Sequence, residues 1–143
     1  KAQEKSGKVV NSILDSIPHA FPALLRAQKL QKQCAKVGFD WREIPPVIGK
    51  IEEELQEVKT ELLQTPQNAE RLEEEIGDLI FATVNLARHV KCDAEESLRK
   101  ANYKFEQRFR NIERKANALG TSLEALSLAE MNRLWDEVKN EEK

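Results

Sequence analysis

The sequence predicts an all-α protein, on three observations. Charged residues make up 34 % of the chain and aromatics only 6 %, with five Gly and five Pro in 143 residues, a balance that suits long amphipathic helices better than a sheet. Apolar residues recur at intervals of three and four through long windows. No alternating β pattern, internal repeat or low-complexity segment interrupts them. A chain of this length can bury roughly 68–70 % of its unfolded surface, enough for one domain with a modest core.

Residues 1–18 are polar at first and then weakly apolar (Val9, Val10, Ile13, Leu14, Ile17) up to Pro18. They read as a linker or extension from a preceding domain, with one or two amphipathic turns, and residues 19–143 read as the folded domain. The absence of an initiating Met fits a piece of a longer chain. The first helix is predicted over 22–38, because Pro22 suits a first turn and Gly38 a C-terminal cap. Residues 39–46, with Trp41 and the Pro45-Pro46 pair, form the connection, since a residue before proline avoids the α region.

The second helix is predicted over 47–64, with Ile48, Ile51, Leu55, Val58 and Leu62 as its core stripe. The third covers 69–90, with Leu72, Ile76, Leu79, Ile80, Thr83, Ala87 and Val90 inward. At about 100° per residue, Glu54, Glu57, Glu75 and Asp78 fall beside these stripes, where a carboxylate can point into a cleft. The fourth helix starts after Asp93, which can cap with Glu96 answering, and runs to Leu119, with Gly120 ending it. Ser127 and Glu130 make a capping box for a short last helix carrying Leu134, Trp135 and Val138.

The formal net charge is −2, so no basic field invites a nucleic-acid polymer or an anionic membrane. No run reaches the roughly 18 apolar residues of a membrane span. Cys34 and Cys92 lack C-x-x-C spacing and read as buried thiols of a reducing, cytoplasmic protein.

The chemistry concentrates in 50–78. Glu54 with Glu57, and Glu75 with Asp78, are i, i+3 pairs, so each pair shares a helix face. Two like charges about 4 Å apart repel by about 4 kcal/mol at an effective dielectric near 20. Four carboxylates gathered on one cleft therefore call for a hard cation, Mg²⁺ or Mn²⁺. Di-iron bundles add Glu-x-x-His motifs, and neither His19 nor His89 follows a Glu by three residues. Iron is disfavoured, and His89 is read as structural.

Mg²⁺ commonly joins carboxylates to phosphates, which in turn need cations. Lys50 and Arg71 each lie one turn before a motif glutamate, where they either meet phosphate or form i, i+4 surface pairs with Glu54 and Glu75. Lys104 and Arg108 lack an acidic residue at i−4 and sit among Tyr103, Phe105 and Phe109. Trp135, with Lys139 one turn on, either stacks on a base or packs as core.

Glu53-Glu54-Leu55-Gln56-Glu57, followed after seventeen residues by Glu75-Ile76-Gly77-Asp78, resembles the E-E-x-x-E and E-x-x-D signature of the MazG-type nucleoside triphosphate pyrophosphohydrolases. P-A-L-L-R-A-Q-K-L-Q-K-Q-C-A-K-V-G-F-D-W and N-Y-K-F-E-Q-R-F extend the similarity from Pro22 to the last helix. The resemblance implies an all-α helical bundle assembled as a tight homodimer, and Mg²⁺-dependent cleavage between the α and β phosphates of ribo- and deoxyribonucleoside triphosphates. It implies metal ligands at Glu54, Glu57, Glu75 and Asp78, and phosphate contacts from Lys104 and Arg108. Lys50, Glu53, Arg71 and Glu74 would stand nearby, and Trp135 and Lys139 would complete the nucleotide pocket. It also implies the second module of a tandem protein. On the mechanism that follows, Glu53 or Glu57 takes the proton of the attacking water. The alternatives are a nucleotide-sensing module with little hydrolysis and a structural helical dimer indifferent to Mg²⁺.

Overall fold

The structure, a computed structural model, describes residues 11–143; Val9 and Val10 lie outside the described residues. Five α-helices follow in order: α1 (Ala23–Lys36), α2 (Ile44–Leu62), α3 (Ala69–His89), α4 (Ala94–Ala118) and α5 (Leu128–Glu141), with a short 3-10 turn at Leu123–Ala125 before the last. The described residues contain no strand, as an all-α reading requires, and no helix long and apolar enough to cross a membrane.

The helix ends follow local chemistry. Gly38 adopts φ +93°, the left-handed region open to glycine, and lets the Phe39 N–H reach the Cys34 carbonyl at 3.1 Å. This closes α1 and aims the following turn, 38–41, back over the helix. The start of α2 corrects the expected connection: the helix opens at Ile44, so Pro45 and Pro46 lie inside its first turn. The first N–H groups of a helix have no intrahelical acceptor, so proline loses nothing there. Asn68 caps α3 by accepting from the Arg71 N–H, and Ser127 and Glu130 form the expected reciprocal box on α5.

The chain divides into two compact units, one ending at Glu95 and one running Glu96–Lys143. In the first, α3 packs against both α2 and α1. The α2 residues turned inward are Val47, Glu54, Val58 and Glu61, and α3 buries Ala82, Val84 and Asn85. This corrects the expected stripes in part: Val58 is buried and Ile51, Leu72, Leu79 and Ala87 are half-buried, as members of those stripes should be. Ile48, Leu55 and Leu62 are 43 %, 42 % and 48 % exposed, and Ile76, Ile80, Thr83 and Val90 are exposed too. Spacing of three and four marks which residues share a face, not what covers it. Here α2 carries two adjacent apolar rows, and only the Val47–Val58 row meets α3.

In the second unit Ile112 and Ala116 of α4 form a buried cluster with Leu134 and Val138 of α5, flanked by Leu123 and Leu126. Burying Ile112, Leu134 or Val138 is worth about 1.5–3 kcal/mol each. Both cysteines are free, but Cys34 is half-buried and Cys92 exposed, so the expectation of two buried thiols fails.

Candidate metal centre and nucleotide site

The phase that buries Glu54 is what builds the site. Glu54 sits in the row of α2 that faces α3, and Glu75 and Asp78 sit on α3 one turn apart. Carboxylate oxygens of these three lie within 4.8 Å of one another, with Glu54 buried, Glu75 half-buried and Asp78 exposed. Glu57 lies outside this group and is exposed. Burial and then the charges of Asp78, Glu57, Glu54 and Glu74 hold the Glu75 carboxyl above its ordinary range. Glu57 is thus close enough to be felt there. Three hard oxygen donors with a gradient from buried to open, and mutual repulsion that a bound cation would relieve, fit a divalent ion.

The neighbouring cations behave differently from one another. Lys50 pairs with Glu53 at 2.9 Å and with Glu54 at 3.5 Å, so it stands at the edge of the cluster. Glu53 sets the raised pKa of this lysine. Arg71 takes Glu61, 3.0 Å away across the α2–α3 contact, rather than the expected i+4 partner Glu75. Glu61 explains the choice: its carboxylate is buried on the inner row and needs a charged donor. Arg71 and Glu74 line an open hollow with Asn68, Glu70 and Glu73.

Two hollows meet beside the carboxylates. One, of about 300 Å³, is lined by Lys50, Glu54 and Asp78 together with Trp41, Phe81 and Asn85. The last three also line the second, an apolar cavity of about 360 Å³ whose other walls include Leu30, Gln31, Cys34 and Phe39. Gln31 Nε2 donates to the Phe81 carbonyl at 2.9 Å, which fixes its amide, and its Oε1 is buried without a partner, as is Arg88 Nε.

The aromatic wall is held by a clasp. Asp40 accepts from Arg88 Nη2 at 2.7 Å and Nη1 at 3.1 Å, and lies 2.9 Å from His89 Nε2. The Arg88 guanidinium, opposed by partial burial and helped by His89, lowers the Asp40 pKa to about 2. His89 is engaged with Asp40 and stands outside the carboxylate group. The cavity and clasp escaped sequence reasoning, although the F-D-W triplet after Gly38 was a signal that aromatics and an acid share one turn.

The basic and aromatic residues lie in the second unit. Arg108 does have an acidic partner, Glu142 on the turn after α5, met through Nε at 3.1 Å and Nη2 at 2.8 Å. Its Cζ is 5.6 Å from the centre of the Trp135 ring, which lies 5.5 Å from the Phe105 ring. Trp135 therefore packs, in part. Lys104 and Lys139 help Arg108 depress the Glu142 carboxyl, and Lys139 lines a hollow of about 470 Å³ with Arg108, Asp136 and Asn140.

Residues 46–112 match the family model described as the MazG nucleotide pyrophosphohydrolase domain. The chain is 50 % identical over 142 residues to the nucleoside triphosphate pyrophosphohydrolase of Escherichia coli strain K12, a match covering 99 % of this chain and 54 % of that protein. It is 41 % identical over 139 residues to the nucleoside triphosphate pyrophosphohydrolase/pyrophosphatase MazG of Thermotoga maritima, covering 97 % and 52 %. It is also 42 % identical over 143 residues to the uncharacterized protein YabN of Bacillus subtilis, of which it covers 29 %. The chain thus spans about half the length, or less, of these relatives. All four motif carboxylates lie within residues 46–112, the stretch that matches the MazG nucleotide pyrophosphohydrolase domain.

Proposed function

We propose that this chain hydrolyses ribo- and deoxyribonucleoside triphosphates at the α–β phosphate bond, giving monophosphate and pyrophosphate, in nucleotide-pool cleaning or control. The observation that carries the reading is the convergence of Glu54, Glu75 and Asp78 from two helices on one point, beside a cavity with aromatic walls. A Mg²⁺ ion, or Mn²⁺ in its place, held by these three supplies neutralisation of the phosphates and a more acidic water. Glu57 has no hydrogen bond among the described residues and lies at the rim, so it is the carboxylate assigned to accept the water's proton. Glu53 is engaged by Lys50 and is the weaker choice.

By the resemblance, Lys104 and Arg108 would contact the phosphates, Lys50, Arg71 and Glu74 would stand nearby, and Trp135 and Lys139 would complete the pocket. The nucleobase lies in the cavity of Phe39, Trp41 and Phe81, because that cavity shares Trp41, Phe81 and Asn85 with the hollow that holds Glu54 and Asp78. Gln31 and Arg88 are the polar residues of its wall, with Asp40 and Asn85. Two copies of the chain pair through the uncovered apolar rows of α2 and α3, since Ile48, Leu55, Leu62, Ile76 and Ile80 together make a face that water disfavours.

Steady-state assays of Glu54→Ala and Asp78→Ala test the reading. Both variants should lose at least about a hundredfold in turnover with helicity intact. Turnover unchanged in both would refute the metal assignment.

A further inference from the structure

Arg108 is held from two sides, and the way it is held has a direction. Glu142 engages the Nε–Nη2 edge: Nε donates to both carboxylate oxygens at 3.1 Å, and Nη2 donates to Oε1 at 2.8 Å. The Trp135 ring lies 5.6 Å from Cζ. No hydrogen bond from Nη1 is present among the described residues. The Arg108 side chain is 18 % exposed and that of Glu142 42 %, so the guanidinium is the more sheltered partner of the pair. Because a guanidinium is a rigid planar fork, clamping one edge fixes where the remaining donors point.

A carboxylate in this place can do one of two things. It can compete with an incoming phosphate for the same donors, or it can orient the arginine for one. The geometry favours the second, since Glu142 consumes one edge and leaves the Nη1 donors for another acceptor. Lys104 and Lys139 lie close enough to act on Glu142 electrostatically, so an anion arriving at Nη1 still meets an excess of positive charge.

We propose that Glu142 is a positioning residue, clamping the Nε–Nη2 edge of Arg108 over Trp135 so that the Nη1 side is presented to a phosphate of the triphosphate. This rests on the reading of Arg108 as a phosphate contact. A side chain fixed in advance loses less freedom on binding, so the gain appears in affinity.

The test is a double-mutant cycle of Glu142→Gln with Arg108→Ala. It is read by KM and kcat for a nucleoside triphosphate with Mg²⁺, and by calorimetric affinity for inorganic tripolyphosphate. Glu142→Gln should raise KM and weaken tripolyphosphate binding by roughly 3- to 10-fold, change kcat less than about twofold, and add nothing once Arg108 is alanine. Tighter binding in Glu142→Gln would mean that the carboxylate competes with phosphate and would overturn the proposal. So would unchanged binding, or an equal loss in both backgrounds. If no triphosphate is hydrolysed yet tripolyphosphate binding weakens as described, the hydrolase reading fails and the positioning role stands.

Discussion

Arg71 Nε lies 3.0 Å from Glu61 Oε2, so the arginine that precedes Glu75 by one turn spends its hydrogen bond across the helix pair. Glu61 is thereby neutralised, and the Glu54, Glu75 and Asp78 group keeps its mutual repulsion. Substituting Glu75→Gln should therefore raise the melting temperature of the metal-free protein while removing its response to Mg²⁺. For the unsubstituted chain, Mg²⁺ at about 100 times its Kd contributes roughly 2.7 kcal/mol, a shift of several degrees. Calorimetric scans with Mg²⁺ and with a chelator read both effects. Equal Mg²⁺ responses in the two proteins would count against the site.

The Asp40 clasp carries an acid-stability signature. Its folded pKa, about 2, lies below the ordinary aspartate value of 3.8. A depressed carboxylate contributes stability that is present above its unfolded pKa and lost as pH falls through the folded one. Between pH 4 and pH 2 the protein should lose of order 1–2 kcal/mol from this group, after allowance for screening. Urea titrations of Asp40→Asn should show a flatter loss over that window. A parallel loss in the variant would assign the acid sensitivity elsewhere.

Leu55 and Leu134 make a contrast between two kinds of apolar residue. Leu134 is buried in the second unit, and Leu134→Ala should cost about 2–5 kcal/mol. Leu55 is 42 % exposed, so within one chain Leu55→Arg should cost little. In the proposed homodimer it puts a charge into the interface. Sedimentation velocity should then find monomers for Leu55→Arg and dimers for Leu134→Ala where it still folds. A Leu55→Arg dimer would mean that another surface pairs the copies.

The cavity predicts where base selectivity resides. Trp41→Ala and Phe81→Ala should raise KM by roughly tenfold, since base stacking is worth about 1–3 kcal/mol. Gln31→Leu should change the ranking of the eight common nucleoside triphosphates by kcat/KM, because it replaces a polar residue of the cavity wall with an apolar one. An unchanged ranking would move the base to another aromatic surface, of which Trp135 is the first to test.

Much of this was legible from spacing alone. The Ser127 box, the helix start at Ala69, Gly38 and Gly120 as helix stops, and the i, i+3 carboxylates are all local chemistry, and local chemistry needs no partner to be read. Packing direction was not legible: Ile48 and Val47 are adjacent apolar residues, and nothing in their spacing says that only Val47 meets α3. For the same reason Glu54 looked like a flank residue and is buried. Partners distant in sequence were the other gap. Asp40 with Arg88 and Arg108 with Glu142 join residues 48 and 34 positions apart, and surface charges offer too many equivalent pairings for composition to choose among them.

The most direct measurement is chromatographic identification of the products from a nucleoside triphosphate incubated with the protein, with and without Mg²⁺. The account predicts monophosphate and pyrophosphate in equal amounts, only when Mg²⁺ is present. Diphosphate with orthophosphate, or the same products at the same rate in chelator, would contradict it.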